Sequence, residues 1–251
     1  MATIKFITNQ PAAFIQEEKA LVIAELHLGL EHDLFKKGIT IPPQREKFQE
    51  RLNEISKITR AKTLIILGDI KHKVPGMSKI EEKELSKFLD WLKENFKVIL
   101  VKGNHDDEIE EVIPREIKVY GSRGFKLGKY GFFHGHAWPS KKLLKCTYLF
   151  LAHLHPSIEF KDKFGFRNLE QVWIKGKIDL NRVKEKYKVK KLGKINLIVM
   201  PTFNQLLGSV NIRKLVETEE PGVIGKLIDV ENSKIYLLDG TFLGYLKDLK
   251  I

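Results

Sequence analysis

The stretch Val98-Ile99-Leu100-Val101-Lys102-Gly103-Asn104-His105-Asp106 sets a continuous apolar run directly against an amide, an imidazole and a carboxylate. A strand with one wet face would alternate apolar and polar residues, so this run reads as a strand buried on both faces, with its polar residues at the carboxyl end. The layout recurs along the chain. Residues 21–24 lead to Glu25 and His27, 64–67 to Gly68 and Asp69, 131–133 to His134 and His136, and 148–152 to His153 and His155.

Between the first runs, residues 44–59 and 79–95 carry apolar side chains at helical spacing, Ile80, Leu85, Phe88, Leu89 and Leu92 among them. The order is therefore βαβαβ, and in such sheets ligands gather in the crevice beyond the carboxyl ends of the strands. Short runs at 125–127, 130–133, 195–200, 223–230, 235–238 and 242–246 predict strands of a mostly antiparallel second sheet. Residues 179–188 predict a short helix capped by Asp179.

The chain has 251 residues, 43% of them hydrophobic, enough for a sizeable core, and it reads as a single domain over residues 1–251. No apolar run reaches the length of a membrane span and the first residues lack a secretory layout, so the expectation is a cytoplasmic protein with no membrane partner. The single cysteine, Cys146, excludes an internal disulfide framework and reads as a buried thiol between Leu144 and Leu149. A formal charge of +12 favours anionic partners, phosphate-bearing metabolites and nucleic acid alike. Oligomeric state is not encoded in any of these features.

All eight histidines fall between positions 27 and 155. Imidazole nitrogen mixed with carboxylate oxygen suits borderline divalent cations such as manganese, iron or zinc, and the absence of a cysteine cluster argues against a structural zinc site. Seven candidate ligands exceed the needs of one catalytic ion, whereas a carboxylate such as Asp69 can bridge two ions roughly 3.5–4 Å apart. Two such ions against Glu25 and Asp69 leave a net positive site for a phosphate.

The blocks Glu25-Leu26-His27, Gly68-Asp69, Gly103-Asn104-His105-Asp106, His134-Gly135 and Ala152-His153-Leu154-His155 resemble, in order, the calcineurin-like metallophosphoesterase signature Asp-x-His, Gly-Asp, Gly-Asn-His-Asp, His-Gly and Gly-His-x-His. The resemblance implies an α/β (α+β) fold, a four-layer αββα sandwich of two mixed sheets flanked by helices. It implies two divalent ions, manganese foremost with zinc, iron or magnesium as alternatives. One would be held by Glu25, His27, Asp69 and His155, and the other by Asp69, Asn104, His134 and His153. It further implies in-line attack on phosphorus, with His105 protonating the leaving oxygen, Asp106 orienting His105, and Asn104 and His105 contacting substrate. Within the superfamily, the segments Leu28-Gly29-Leu30-Glu31, Ile39-Thr40-Ile41-Pro42-Pro43-Gln44, Gly68-Asp69-Ile70-Lys71-His72 and Met200-Pro201-Thr202-Phe203-Asn204-Gln205-Leu206-Leu207-Gly208 resemble archaeal phosphoesterases related to SbcD-type repair nucleases and those associated with bacterial DNA ligases.

Two positions depart from the signature. Glu25 stands where it has Asp, which moves the carboxylate by up to about 1.5 Å and leads to an expectation of a retained but weakened first ion. Ala152 replaces a glycine, which matters only if that backbone needs a positive φ.

His136 and His72 match no ligand slot and read equally as hydrogen-bonding neighbours of the site or as substrate contacts. His32, beside Asp33, reads as a surface residue, and Trp138 and Trp173 as core. The lysines at 184, 186, 188, 190, 191 and 194 read as a solvated face, with a nucleic-acid track as the competing reading. Three functions follow. The first is a phosphodiesterase on nucleic acid or a nucleotide-like ester, the second a phosphomonoesterase on a small metabolite, and the third an inactive metal-binding scaffold weakened at Glu25.

Overall fold

A computed structural model describes residues 4–212 and 222–249. Six strands form a first sheet in sequence order: β1 (Ile4–Phe6), β2 (Ala13–Ile15), β3 (Ala20–Ile23), β4 (Thr63–Leu67), β5 (Lys97–Val101) and β6 (Lys118–Tyr120). β3 through β6 run parallel, which places their carboxyl ends at one edge. The crossovers are α1 (Leu30–Lys36) with α2 (Gln44–Thr59), and α3 (Lys79–Asn95).

A second sheet of nine strands contains β7 (Phe125–Leu127), β8 (Tyr130–Phe132), β9 (Tyr148–Leu151), β10 (Pro156–Lys161), β11 (Arg167–Lys177), β12 (Asn196–Val199), β13 (Val210–Asn211), β14 (Lys234–Leu237) and β15 (Phe242–Tyr245). Most of its pairings are antiparallel, as expected. The pairs β8 with β9 and β9 with β12 are parallel, and this brings the residues that follow β8 and β9 to a common end. Two helices, α4 (Leu180–Tyr187) and α5 (Gly222–Leu227), cover this sheet.

Strand period explains the layers. In β4, Leu64 and Ile66 join an outer cluster with Phe48, Leu52, Phe88 and Leu92 of the helices, while Ile65 and Leu67 join an inner cluster with Phe132, Phe150 and Trp173 of the second sheet. In the second sheet Leu149, Ile174 and Leu197 face away from the first, against Val183 and Ile224. The result is the expected αββα sandwich, and the unbroken apolar runs are the sequence's record of strands buried on both faces.

α3 begins with a capping box, Ser78 with Glu81. Asp179 caps α4 by accepting from Asn181 and Arg182, as predicted. The segment expected as a strand at 223–230 is instead helical over Gly222–Leu227, where Ile224 and Leu227, three apart, are buried on one side. A short apolar run fits either period, and tertiary burial chose the helix. The β10–β11 hairpin was not anticipated, because its outer half is exposed and carries no continuous apolar run. Cys146 and Trp173 are buried. His32 is half-buried, with its Nε2 shielded and lacking a partner, rather than lying on the surface. Among the described residues no helix is long and apolar enough to cross a membrane.

Candidate metal centre

Three of the apolar strands, β3, β4 and β9, lead into a backbone conformation that L residues rarely adopt. Glu25, His27, Asp69, His153 and His155 have φ of 59°, 44°, 52°, 67° and 51°. Left-handed backbone at a non-glycine residue costs on the order of 1 kcal/mol or more and persists where the surroundings enforce it, characteristically at functional sites. Ala152 is absent from this set, so the loss of its glycine carries no φ penalty. Two of the three motif glycines are needed sterically at closest range. A Cβ at Gly103 would lie 2.0 Å from Asp69 Oδ1, and one at Gly68 would lie 2.3 Å from His134 Nδ1.

The side chains converge in two groups, Glu25 with His27 and His155, and Asp69 with His134 and His153. Within each group the candidate donor atoms all lie within 4.8 Å of one another. Glu25 is fully buried, and its Oε2 lies 3.0 Å from His27 Nε2 and 2.9 Å from His155 Nε2. Asp69 joins the groups, since its Oδ2 is 3.6 Å from His27 Nε2 and 3.5 Å from His134 Nε2. Asn104, exposed, brings its Oδ1 to 3.2 Å from His134 Nε2. All seven residues predicted as ligands thus meet in one cleft. Burying such a cluster stabilises less than apolar side chains of the same volume would, so stability alone does not account for it.

The outer nitrogens are anchored. His134 Nδ1 lies 2.7 Å from the Leu67 carbonyl, which ties the second sheet to the first, and His155 Nδ1 lies 3.2 Å from the Gly208 carbonyl. These contacts fix the rings and leave Nε2 toward the cluster. The 200–208 segment also binds the end of β3, because Asn204 Nδ2 donates to the Leu26 carbonyl at 2.8 Å.

Burial, the largest influence on Glu25, raises its carboxyl, yet His134, His155 and His27 together hold it well below the usual range. Burial and the neighbouring Glu25 also raise Asp69, yet His134 and the His105 backbone N–H together hold it below its ordinary value. Burial lowers His134, but Glu25 and Asp69 carry it up to about 9. His153 is pushed down to about 4 by burial and by His134 beside it. A cation binding at His134 must therefore displace a proton, and affinity at this group should rise as pH rises toward 9. Proton release on adding manganese to metal-stripped protein in weak buffer measures this, and no release at pH 7 would contradict it.

Glu25 uses its extra carbon. While Oε2 faces the two imidazoles, Oε1 accepts from the His153 backbone N–H at 2.6 Å. Both carboxylate oxygens of Glu25 are thus engaged at its present length, and the expected weakening of the first ion is a matter for metal content. Glu25→Asp should lose one charge-assisted hydrogen bond, about 1.5–3 kcal/mol, and lower metal content at the first position. Elemental analysis and a melting curve beside the natural protein check it, and a gain in both would overturn the argument.

The ring of His105 is not held by Asp106. Asp106 is fully buried, and its carboxylate accepts from the backbone N–H groups of Asp69 at 2.8 Å, Ile70 at 2.9 Å and Gly103 at 2.8 Å, with a longer contact to Lys71. It clamps the ends of β4 and β5 together. His105 Nδ1 instead lies 2.5 Å from the His72 carbonyl, and Asp69 Oδ1 accepts the His105 backbone N–H at 2.8 Å.

Sequence reasoning left Lys71 without a role and His72 with two, a hydrogen-bonding neighbour or a substrate contact. His72 Nδ1 is 3.3 Å from His27 Nδ1, and its Nε2 is 3.5 Å from Asp33. The fully buried Lys71 ammonium binds the carbonyls of Lys73 and Gly76 and the carboxylate of Asp107. Together they stiffen the loop that carries the His72 carbonyl. The acidic pair Asp106-Asp107 was the available signal, since two buried jobs required two carboxylates. His136, half-buried, lies beside His134 and His153 with ring centroids 5.1 and 5.8 Å away.

The sequence model of calcineurin-like phosphoesterases matches residues 19–215. No curated protein sequence matches. Among solved structures, nuclease MPE of Pseudomonas putida superposes with a TM-score of 0.57 at 16% identity, covering 95% of this chain and 98% of its own, and shows the shared fold. Yfce, a phosphoesterase from E. coli, aligns at a TM-score of 0.36 and 19% identity over 57% of this chain and 73% of its own. A predicted phosphoesterase of Streptococcus pneumoniae aligns at 0.35 and 13% identity over 89% of this chain and 91% of its own.

Proposed function

Because the chain belongs to the calcineurin-like phosphoesterase family, we propose that its two clusters bind a pair of divalent cations, manganese foremost, and hydrolyse a phosphodiester of nucleic acid or nucleotide-like kind. The observation that carries this is Asp69, whose Oδ2 stands nearly equidistant from His27 and His134. Glu25, His27, Asp69 and His155 would hold one cation, and Asp69, Asn104, His134 and His153 the other. Nitrogen and oxygen donors in this mixture suit borderline divalent ions, with zinc, iron and magnesium as alternatives. When bound, such a pair supplies Lewis-acid stabilisation of phosphoryl charge and a nucleophile at neutral pH.

The chain's own residues do the rest. With Nδ1 donating to the His72 carbonyl, His105 has Nε2 left to pass a proton to the leaving oxygen. Asp106 acts one step further out, holding the backbone from which Asp69 and His105 project. The nuclease-related resemblance of several segments favours a diester over a small monoester, while the charge of +12 suits either anion. A fully engaged Glu25 disfavours an inert scaffold.

Metal-stripped protein supplied with manganese, zinc or magnesium and assayed on bis(4-nitrophenyl) phosphate beside 4-nitrophenyl phosphate tests the reading. Diester turnover is expected, and a monoester preference or silence with every metal would reject it. His105→Ala should lower kcat by about 10²–10⁴ with both cations retained, the loss characteristic of a proton donor. Loss of metal instead would recast His105 as a ligand.

A further inference from the structure

The β10–β11 hairpin starts at Pro156, immediately after His155, and projects from the metal centre. Its turn is held in one shape by its own hydrogen bonds. Asp162 Oδ1 accepts from the backbone N–H of Phe164 at 2.8 Å and of Phe166 at 2.9 Å, Asp162 N donates to the Phe166 carbonyl, and Gly165 supplies a φ of 89°. On this fixed turn Phe164 is 85% exposed and Phe166 72% exposed. An ordered turn that presents two phenyl rings to water is a built contact surface.

The surrounding charge selects the occupant. Lys161, Lys163 and Arg167 flank the rings, and Lys163 Nζ sits 5.2 Å from the centre of the Phe164 ring. Three acids lie as close: Asp162 accepts the backbone N–H groups of the turn, Glu159 pairs with Arg167 at 3.1 Å and Glu170 accepts from Asn168, so the cations left to a ligand are Lys161 and Lys163. Flat apolar faces beside two lysines match stacked bases on a phosphate backbone. A second copy of this chain would have to bring up another body of charge +12.

We propose that this hairpin tip is a stacking platform for single-stranded nucleic acid, Phe164 and Phe166 seating bases while the phosphate chain runs back toward the metal centre. The proposal rests on the nucleic-acid diester reading above. Six residues of β10 at ~3.3 Å each place the tip about 20 Å from His155, roughly six nucleotides at ~3.4 Å per stacked nucleotide.

The test compares natural protein with the double variant Phe164→Ser, Phe166→Ser, whose changes touch only exposed rings. Binding of labelled oligothymidylates of about four and about 15 nucleotides is read by fluorescence anisotropy at low salt, alongside turnover of bis(4-nitrophenyl) phosphate. The longer strand should bind the variant about 10-fold or more weakly, while the short strand and the small diester are handled alike. Equal affinity of both proteins for the longer strand overturns the proposal, as does failure of the natural protein to bind it. A dimer in sedimentation that the variant dissolves also overturns it, reassigning the tip to self-association. Absence of diester turnover in the natural protein sinks the reading of the reaction instead, and the anisotropy comparison still decides the tip.

Discussion

Asp69→Asn protein is expected to lose both cations and, with them, phosphoester turnover, while keeping its fold. The carboxylate is 1% exposed, and its Oδ2 faces an imidazole of each cluster while Oδ1 accepts from His105 N–H. An amide keeps the shape and one oxygen but removes the charge that two dications require between them. Even partners one step removed from a metal cost 10–100-fold in affinity when mutated, so a shared ligand should cost more than about 100-fold. Elemental analysis after gel filtration, set beside a melting curve, reads metal and fold separately. Two cations per chain with natural turnover in Asp69→Asn would refute the shared role.

Asp106→Ala should produce the largest loss of stability of any single change at the site. Removing this carboxylate strands the backbone N–H groups of Asp69, Ile70 and Gly103 away from water, at about 1–3 kcal/mol each before relaxation. A net loss of about 4–6 kcal/mol translates to a drop in Tm of roughly 10–20 °C for a chain of this size. Asp106→Asn retains one acceptor oxygen and should fall between the two. The variant reading its effect as a shifted pH profile with unchanged Tm would instead restore Asp106 to a partnership with the His105 ring.

These two aspartates show where sequence reading stopped. Both sit in the same kind of position, just past an apolar run, and both were assigned to the site. Their difference lies in which way the chain turns after the strand. Asp69 reaches the cleft from a left-handed residue, whereas Asp106 folds back under its own loop to meet β4. The side chain of His72 was read as a neighbour of the site or a substrate contact, and its carbonyl was not considered, because a backbone carbonyl that holds the His105 ring leaves no mark on residue identity. The helix at Gly222–Leu227 was misread for a similar reason, since six residues carry too few turns for period to decide.

What the sequence determined alone was the frame: apolar runs too continuous for a one-sided sheet, each ending in metal-binding residue types, spaced so that parallel strands must deliver them to one edge. Periodicity and residue chemistry are local, and local information sufficed for them. The tertiary structure alone decided the pairings inside the cleft, that Glu25 spans two hydrogen-bonding positions, that Asp106 braces backbone, and that the His72 carbonyl holds His105. Those contacts join residues from separate strands across distances of a few ångströms, and only the packed sheets and the left-handed strand ends set such distances.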